Sequence, residues 1–132
     1  MNLYAQYSQP NNTDNLSLFL ALPSDVQTFM CTGYTDLRQS IDGLSDIVEY
    51  DFGLNPLSKS MYLFCGRRIN RLKILYHDGI GNIVMVVRSD QTNFQWPRSE
   101  KQLWKISRAT LIRLLKGEKI TDKDALRIFQ IQ

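Results

Sequence analysis

The sequence predicts a single α+β domain: an antiparallel sheet of four to five strands packed with one amphipathic helix and one or two C-terminal helices. Two patterns carry this reading. Leu37, Ile41, Leu44, Ile47 and Val48 recur at helical spacing. Three apolar segments then follow between residues 61 and 88, joined by connections short enough for hairpins. The length of 132 residues suits one core, since single domains usually run to about 100–150 residues.

The elements follow in chain order. Residues 1–22 begin with a polar stretch rich in Asn and Gln, expected to form a flexible arm, and residues 23–132 form the domain. Within the arm, Leu16 to Leu22 is apolar and suits a short strand or part of a helix, stopped by Pro23. Val26 to Cys31 reads as a strand and Thr32-Gly33-Tyr34 as a turn. Thr35 is then a suitable N-cap for a helix over residues 36–50, with Asp36 favourable in its first turn. Its outer face would carry Arg38, Asp42, Asp46 and Glu49, with Arg38 and Asp42 spaced to pair. Met61–Cys65, Arg71–Tyr76 and Asn82–Val87 read as a three-stranded meander, the last dense in β-branched residues as a strand covered on both faces would be. Phe94–Pro97 is a candidate short strand and Leu103–Ile106 another. Ser107 caps a helix that runs to Lys116 and stops at Gly117, and Thr121 would cap a last helix over Asp122–Gln130.

Composition narrows the function. The longest strongly apolar run, Ile83 to Val87, is five residues, far below the roughly 20 that span a bilayer. No basic stretch followed by an apolar one opens the chain. Cys31 and Cys65 are too few for a disulfide framework and read as free thiols, so a reducing, cytoplasmic location is expected. A net charge of +3 conceals an asymmetry. Residues 1–57 hold one base against seven acids, a net of −6, and residues 58–132 hold fifteen bases against six acids, a net of +9. A basic half suits phosphate neutralisation, although the two halves could equally face each other in the fold.

No catalytic constellation stands out, and neither a metal site nor a cofactor is expected. There is no Gly-x-Ser-x-Gly elbow and no Walker-type loop. Cys65 and His77 lie on adjacent strands and could meet only if the pairing brought them together. Asp42, Asp46 and Glu49 share a helical face, but two-metal nucleases draw their carboxylates from several elements around a cleft. The basic cluster is more specific. Arg67 and Arg68 occupy a hairpin turn, and Arg71 and Lys73 point to one face of the strand that leaves it. A basic hairpin tip grips phosphates, and a two-stranded ribbon fits a DNA major groove. Tyr62, Phe64, Tyr76 and Trp96 are either core residues or stacking platforms of the kind single-strand binders use.

These residues also carry a family resemblance. Thr35-Asp36-Leu37-Arg38 followed by Ile41-Asp42-Gly43-Leu44, the block Leu63 to Gly79, Phe94-Gln95-Trp96-Pro97 and the segment Leu111–Gly117 stand in the order and spacing of the small TnpB accessory proteins of insertion sequence 66 elements. The chain resembles that family over roughly residues 24–117. It departs at Cys65, where the family has Arg, and at Tyr76-His77, where it has two tryptophans. The resemblance implies a non-catalytic accessory factor of a bacterial mobile element that encodes a DDE transposase. The expected partners are DNA, particularly the element ends, held by Arg67, Arg68, Arg71 and Lys73, and the transposase or another element-encoded accessory protein. The competing reading is a protein-interaction module that docks through Asp42, Asp46 and Glu49, or through the aromatic surface, without touching DNA.

Overall fold

The computed structural model describes residues 18–19, 21–98 and 100–130, so most of the segment expected to form an arm lies outside them. Six strands form one mixed sheet: β1 (Gln27–Cys31), β2 (Ser60–Cys65), β3 (Arg71–His77), β4 (Asn82–Arg88), β5 (Gln102–Ile106) and β6 (Ala125–Gln130). Their spatial order is β4-β3-β2-β1-β5-β6. The meander β2-β3-β4 is antiparallel as expected. The β1–β2 pair is parallel, because the chain crosses over through a helix between them. Parallel neighbours need such a crossover, since a tight turn can join only antiparallel ones.

Apolar residues fill both faces of the sheet. On one face Met30, Leu63, Leu72, Ile74 and Trp104 pack with Phe94, Trp96 and the helix α2 (Arg108–Leu115), whose Leu111 and Leu114 point inward. Phe19 is buried in this cluster at 1% exposure. On the other face Phe29, Tyr62, Phe64, Leu75 and Leu103 pack under Leu44 and Val48, the buried residues of the crossover helix. Phe29 and Tyr62 stack there with ring centroids 5.3 Å apart. Among the described residues no helix is long and apolar enough to cross a membrane.

Four elements depart from the sequence reading. The helix expected over residues 36–50 begins later, as α1 (Ile41–Asp46) with Ser40 at its N-cap, and continues as a π-helical turn, Ile47–Asp51. Asp36 accounts for the late start: its carboxylate accepts the Arg38 backbone N–H at 3.0 Å, a local bond that competes with helix formation. Arg38 accordingly pairs with Asp36 and not with Asp42. Phe94–Pro97 is irregular, and β4 is an edge strand, not one covered on both faces. The last helix, expected over Asp122–Gln130, is a single 3-10 turn at Asp122–Asp124 followed by β6. Thr121 and Asp124 do form a capping box. The following Ala-Leu-Arg-Ile-Phe-Gln nevertheless pairs with the open side of β5, since a sheet edge with free backbone groups outcompetes a helix of two turns.

Cys31 and Cys65 are both buried and unpaired with each other. Burial pushes the Cys31 thiol up to about 11 and the Cys65 thiol up to about 12. A thiol reagent at pH 8 is therefore expected to label neither cysteine in the native protein and both after denaturation. Labelling of the folded chain within minutes would contradict this burial.

Candidate nucleic-acid interface

The parallel β1–β2 pair places the C-terminal ends of both strands at the same end of the sheet, with Cys31 opposite Phe64. The loop after β1 and the hairpin after β2 therefore leave side by side. Open sheets commonly bind ligands at the carboxyl ends of parallel strands. A groove of about 640 Å³ lies between these two segments here. One wall is Tyr34 to Arg38, and the other is Gly66 to Arg68 together with Arg71.

The first wall is built outward from the core. Gly33 takes a φ of 74°, which an L side chain rarely adopts, so the chain turns sharply as it leaves β1. The turn is fastened from behind: Gly33 N–H donates to the Pro97 carbonyl at 2.8 Å and Trp96 Nε1–H to the Cys31 carbonyl at 3.1 Å. Thr32 adds Oγ1 to the Glu100 carbonyl at 2.7 Å and accepts the Gln102 N–H at 2.8 Å. Thr35 N–H donates to the Cys65 carbonyl at 2.9 Å and so ties this wall to the second. The walls also touch through side chains. A Cβ at Gly66 would lie 3.1 Å from Leu37 Cγ and 3.2 Å from its Cδ1, so glycine is what permits this approach.

Four guanidinium groups line the groove: Arg38 from one wall, Arg67, Arg68 and Arg71 from the other. Among the described residues the only acid lining it is Asp36. Asp36 is bound to Arg38 by a 2.7 Å contact from Nη2 to Oδ2 and by Nε at 3.0 Å to Oδ1. These bonds, with the Arg38 backbone N–H, hold its carboxyl down at about 2. The lining thus carries four positive charges against one negative. Among the described residues Arg67, Arg68 and Arg71 form no salt bridge. Among the described residues Arg71 Nε is buried without a hydrogen-bond partner, and Thr35 Oγ1 has only the Cys31 thiol, a weak one. Arg98 stacks over the Tyr34 ring at 5.2 Å and adds a fifth positive charge at the rim.

Of the residues singled out from the sequence, Arg67, Arg68 and Arg71 come together. Lys73 shares the face of β3 that Arg71 occupies but is engaged elsewhere, with its Nζ donating to the Gln39 carbonyl at 2.8 Å. It clamps the segment before α1 onto the sheet. The sequence places Arg38 on the surface of a helix, and nothing in that reading brings it to the groove, where the structure puts it. The signal was available: Asp two positions before Arg, behind a Thr, is an Asx-turn pattern that carries Arg38 off the helix. Cys65 and His77 lie at opposite ends of the β2–β3 pair, where Cys65 faces Leu72 and Met61 faces Tyr76. Asp42, Asp46 and Glu49 are exposed on α1 and its π turn. No group of three His, Cys, Asp or Glu among the described residues could hold a metal ion.

Comparison with known proteins gives two matches. A family model described as IS66 Orf2 like protein matches residues 26–125. An uncharacterized protein of Sinorhizobium fredii, y4hO, is 37% identical over 98 residues, covering 73% of this chain and 85% of that protein. No solved structure matches. The matched span includes both walls of the groove and every strand up to the start of β6.

Proposed function

The chain belongs to the IS66 Orf2-like family, and from that premise we propose that it is a non-catalytic accessory protein of an insertion sequence that supports transposition by holding DNA through its phosphates. The observation that carries this is the convergence of Arg38, Arg67, Arg68 and Arg71 on one groove with a single opposing acid. Guanidinium groups match phosphate oxygens in two-point geometry and keep their charge at any physiological pH. Backbone contacts of this kind give affinity and register, while sequence preference has to come from base edges or DNA shape.

The test is a salt titration of binding to element-end and random duplexes. If the groove neutralises three or four phosphates, log K against log salt has a slope of about −3 to −4, at about −0.9 per phosphate. Arg67→Ala/Arg68→Ala is expected to flatten that slope by about 2 and to weaken binding at least tenfold at about 100 mM salt. A wild-type chain that binds neither duplex at low salt would sink the DNA reading. The second reading, docking on the transposase, is favoured by one feature: Tyr50 is 75% exposed beside Glu49 and Asp51, and aromatic anchors of that kind are enriched at protein interfaces. Transposase capture lost in Tyr50→Ala, with no DNA binding, would favour it.

A further inference from the structure

Among the described residues strand β4 ends the sheet on one side, with one row of its backbone N–H and C=O groups facing away from β3. Natural edge strands are normally blunted by Lys, Pro, a bulge or brevity. Among the described residues β4 has none of these protections: it is seven residues long, pairs with β3 at every position without a register shift, and reads Asn-Ile-Val-Met-Val-Val-Arg. The opposite edge differs, because the β5–β6 pairing shifts register at Leu103/Trp104. Large apolar side chains also stand open around β4. Val86 is 64% exposed, Ile83 41%, and Ile80 in the preceding turn 95%.

We propose that β4 pairs with β4 of a second copy of this chain, antiparallel, about a two-fold axis at Met85. The sequence is close to a palindrome about that residue. In this register Met85 meets Met85, Val84 meets Val86, Ile83 meets Val87, and only Asn82 and Arg88 at the ends are polar. Every interior cross-strand pair is then apolar and mostly β-branched, the kind that stabilises antiparallel ladders. Charge selects the direction. Arg88 already lies beside Arg71 on β3, and a parallel pairing would bring a second Arg88 against them. The antiparallel arrangement sends the two Arg88 residues to opposite ends and brings each towards the partner copy's turn, which carries an acid at position 78 and an open isoleucine at position 80. The two-fold contact is closed, whereas β4 on the bulged β6 edge would repeat head to tail into a filament. The dimer carries one arginine groove per copy, which would add avidity on two-fold DNA.

Light scattering of the full chain across a concentration series tests this, with Val86→Lys as the disrupting variant. Val86 is mostly exposed, so Val86→Lys keeps its fold, checked by circular dichroism. A reversible dimer is expected, weakened at least tenfold by the substitution. Under mild oxidation Met85→Cys is expected to form an interchain disulfide and Ile83→Cys none, since only position 85 lies on the axis; the native thiols are buried. A chain that stays monomeric at every concentration overturns the proposal. So does a dimer indifferent to Val86→Lys, or crosslinking at Ile83→Cys without Met85→Cys. Growth past the dimer that Leu126→Lys abolishes would show head-to-tail pairing and overturn it as well.

Discussion

Trp96→Ala is expected to cost about 3–5 kcal/mol of stability, the range for deleting a buried aromatic side chain. Trp96 is 5% exposed within the cluster under α2, and its Nε1–H is bonded to the Cys31 carbonyl. The loss should show as a fall in the urea midpoint with little change in slope, since the fold unravels as one unit. Trp96→Phe separates two contributions. It keeps most of the packing but removes the donor to the Cys31 carbonyl, the loss of a hydrogen bond that contributes about 0.5–1.5 kcal/mol. That carbonyl sits at the last residue of β1, one step before the turn that carries the first wall of the groove. Trp96→Phe is therefore expected to lower DNA affinity more than a surface change of equal cost to stability would. An unaltered affinity in Trp96→Phe would show that the wall does not depend on this fastening.

The parts of this fold that were legible in the sequence are those specified locally. Alternation and β-branching placed β2, β3 and β4 to within one residue, because each joins its neighbour by a short turn. Ser107 was recognisable as a cap, and it accepts the Thr110 N–H as a cap should. The misread elements depended on distant partners. Whether β1 runs parallel to β2 is decided by where the crossover helix packs, and no window of residues encodes that. β6 follows a sound capping box, so local chemistry favoured a helix, and only the open side of β5 reversed it. The same division applies to the groove. Its hairpin wall was legible as consecutive arginines. Its other wall required knowing that the ends of β1 and β2 lie together, which brings Arg38 to residues roughly 30 positions further along the chain.

Gly66→Val tests whether the groove acts through its shape or only through its charge. The substitution changes no charge, but its Cβ would fall 3.1–3.2 Å from Leu37, and valine's two methyl groups crowd further. Overpacking of this kind costs about 1–3 kcal/mol, and the strain is relieved most readily by moving the exposed wall, Asp36 to Arg38, away from the hairpin. Arg38 then no longer faces Arg67 and Arg68 at the spacing that lets them hold one backbone together. DNA affinity is expected to fall about ten- to a hundredfold, because misplacing one charge-assisted contact costs about 1.5–3 kcal/mol. The salt slope should fall by no more than about one phosphate, in contrast to Arg67→Ala/Arg68→Ala, which removes two. Slope counts the phosphates neutralised, and the intercept records how well the guanidinium groups are placed. If Gly66→Val binds like the wild-type chain at every salt concentration, the arginines act as a diffuse positive patch, and the close approach of Gly66 to Leu37 serves only the fold.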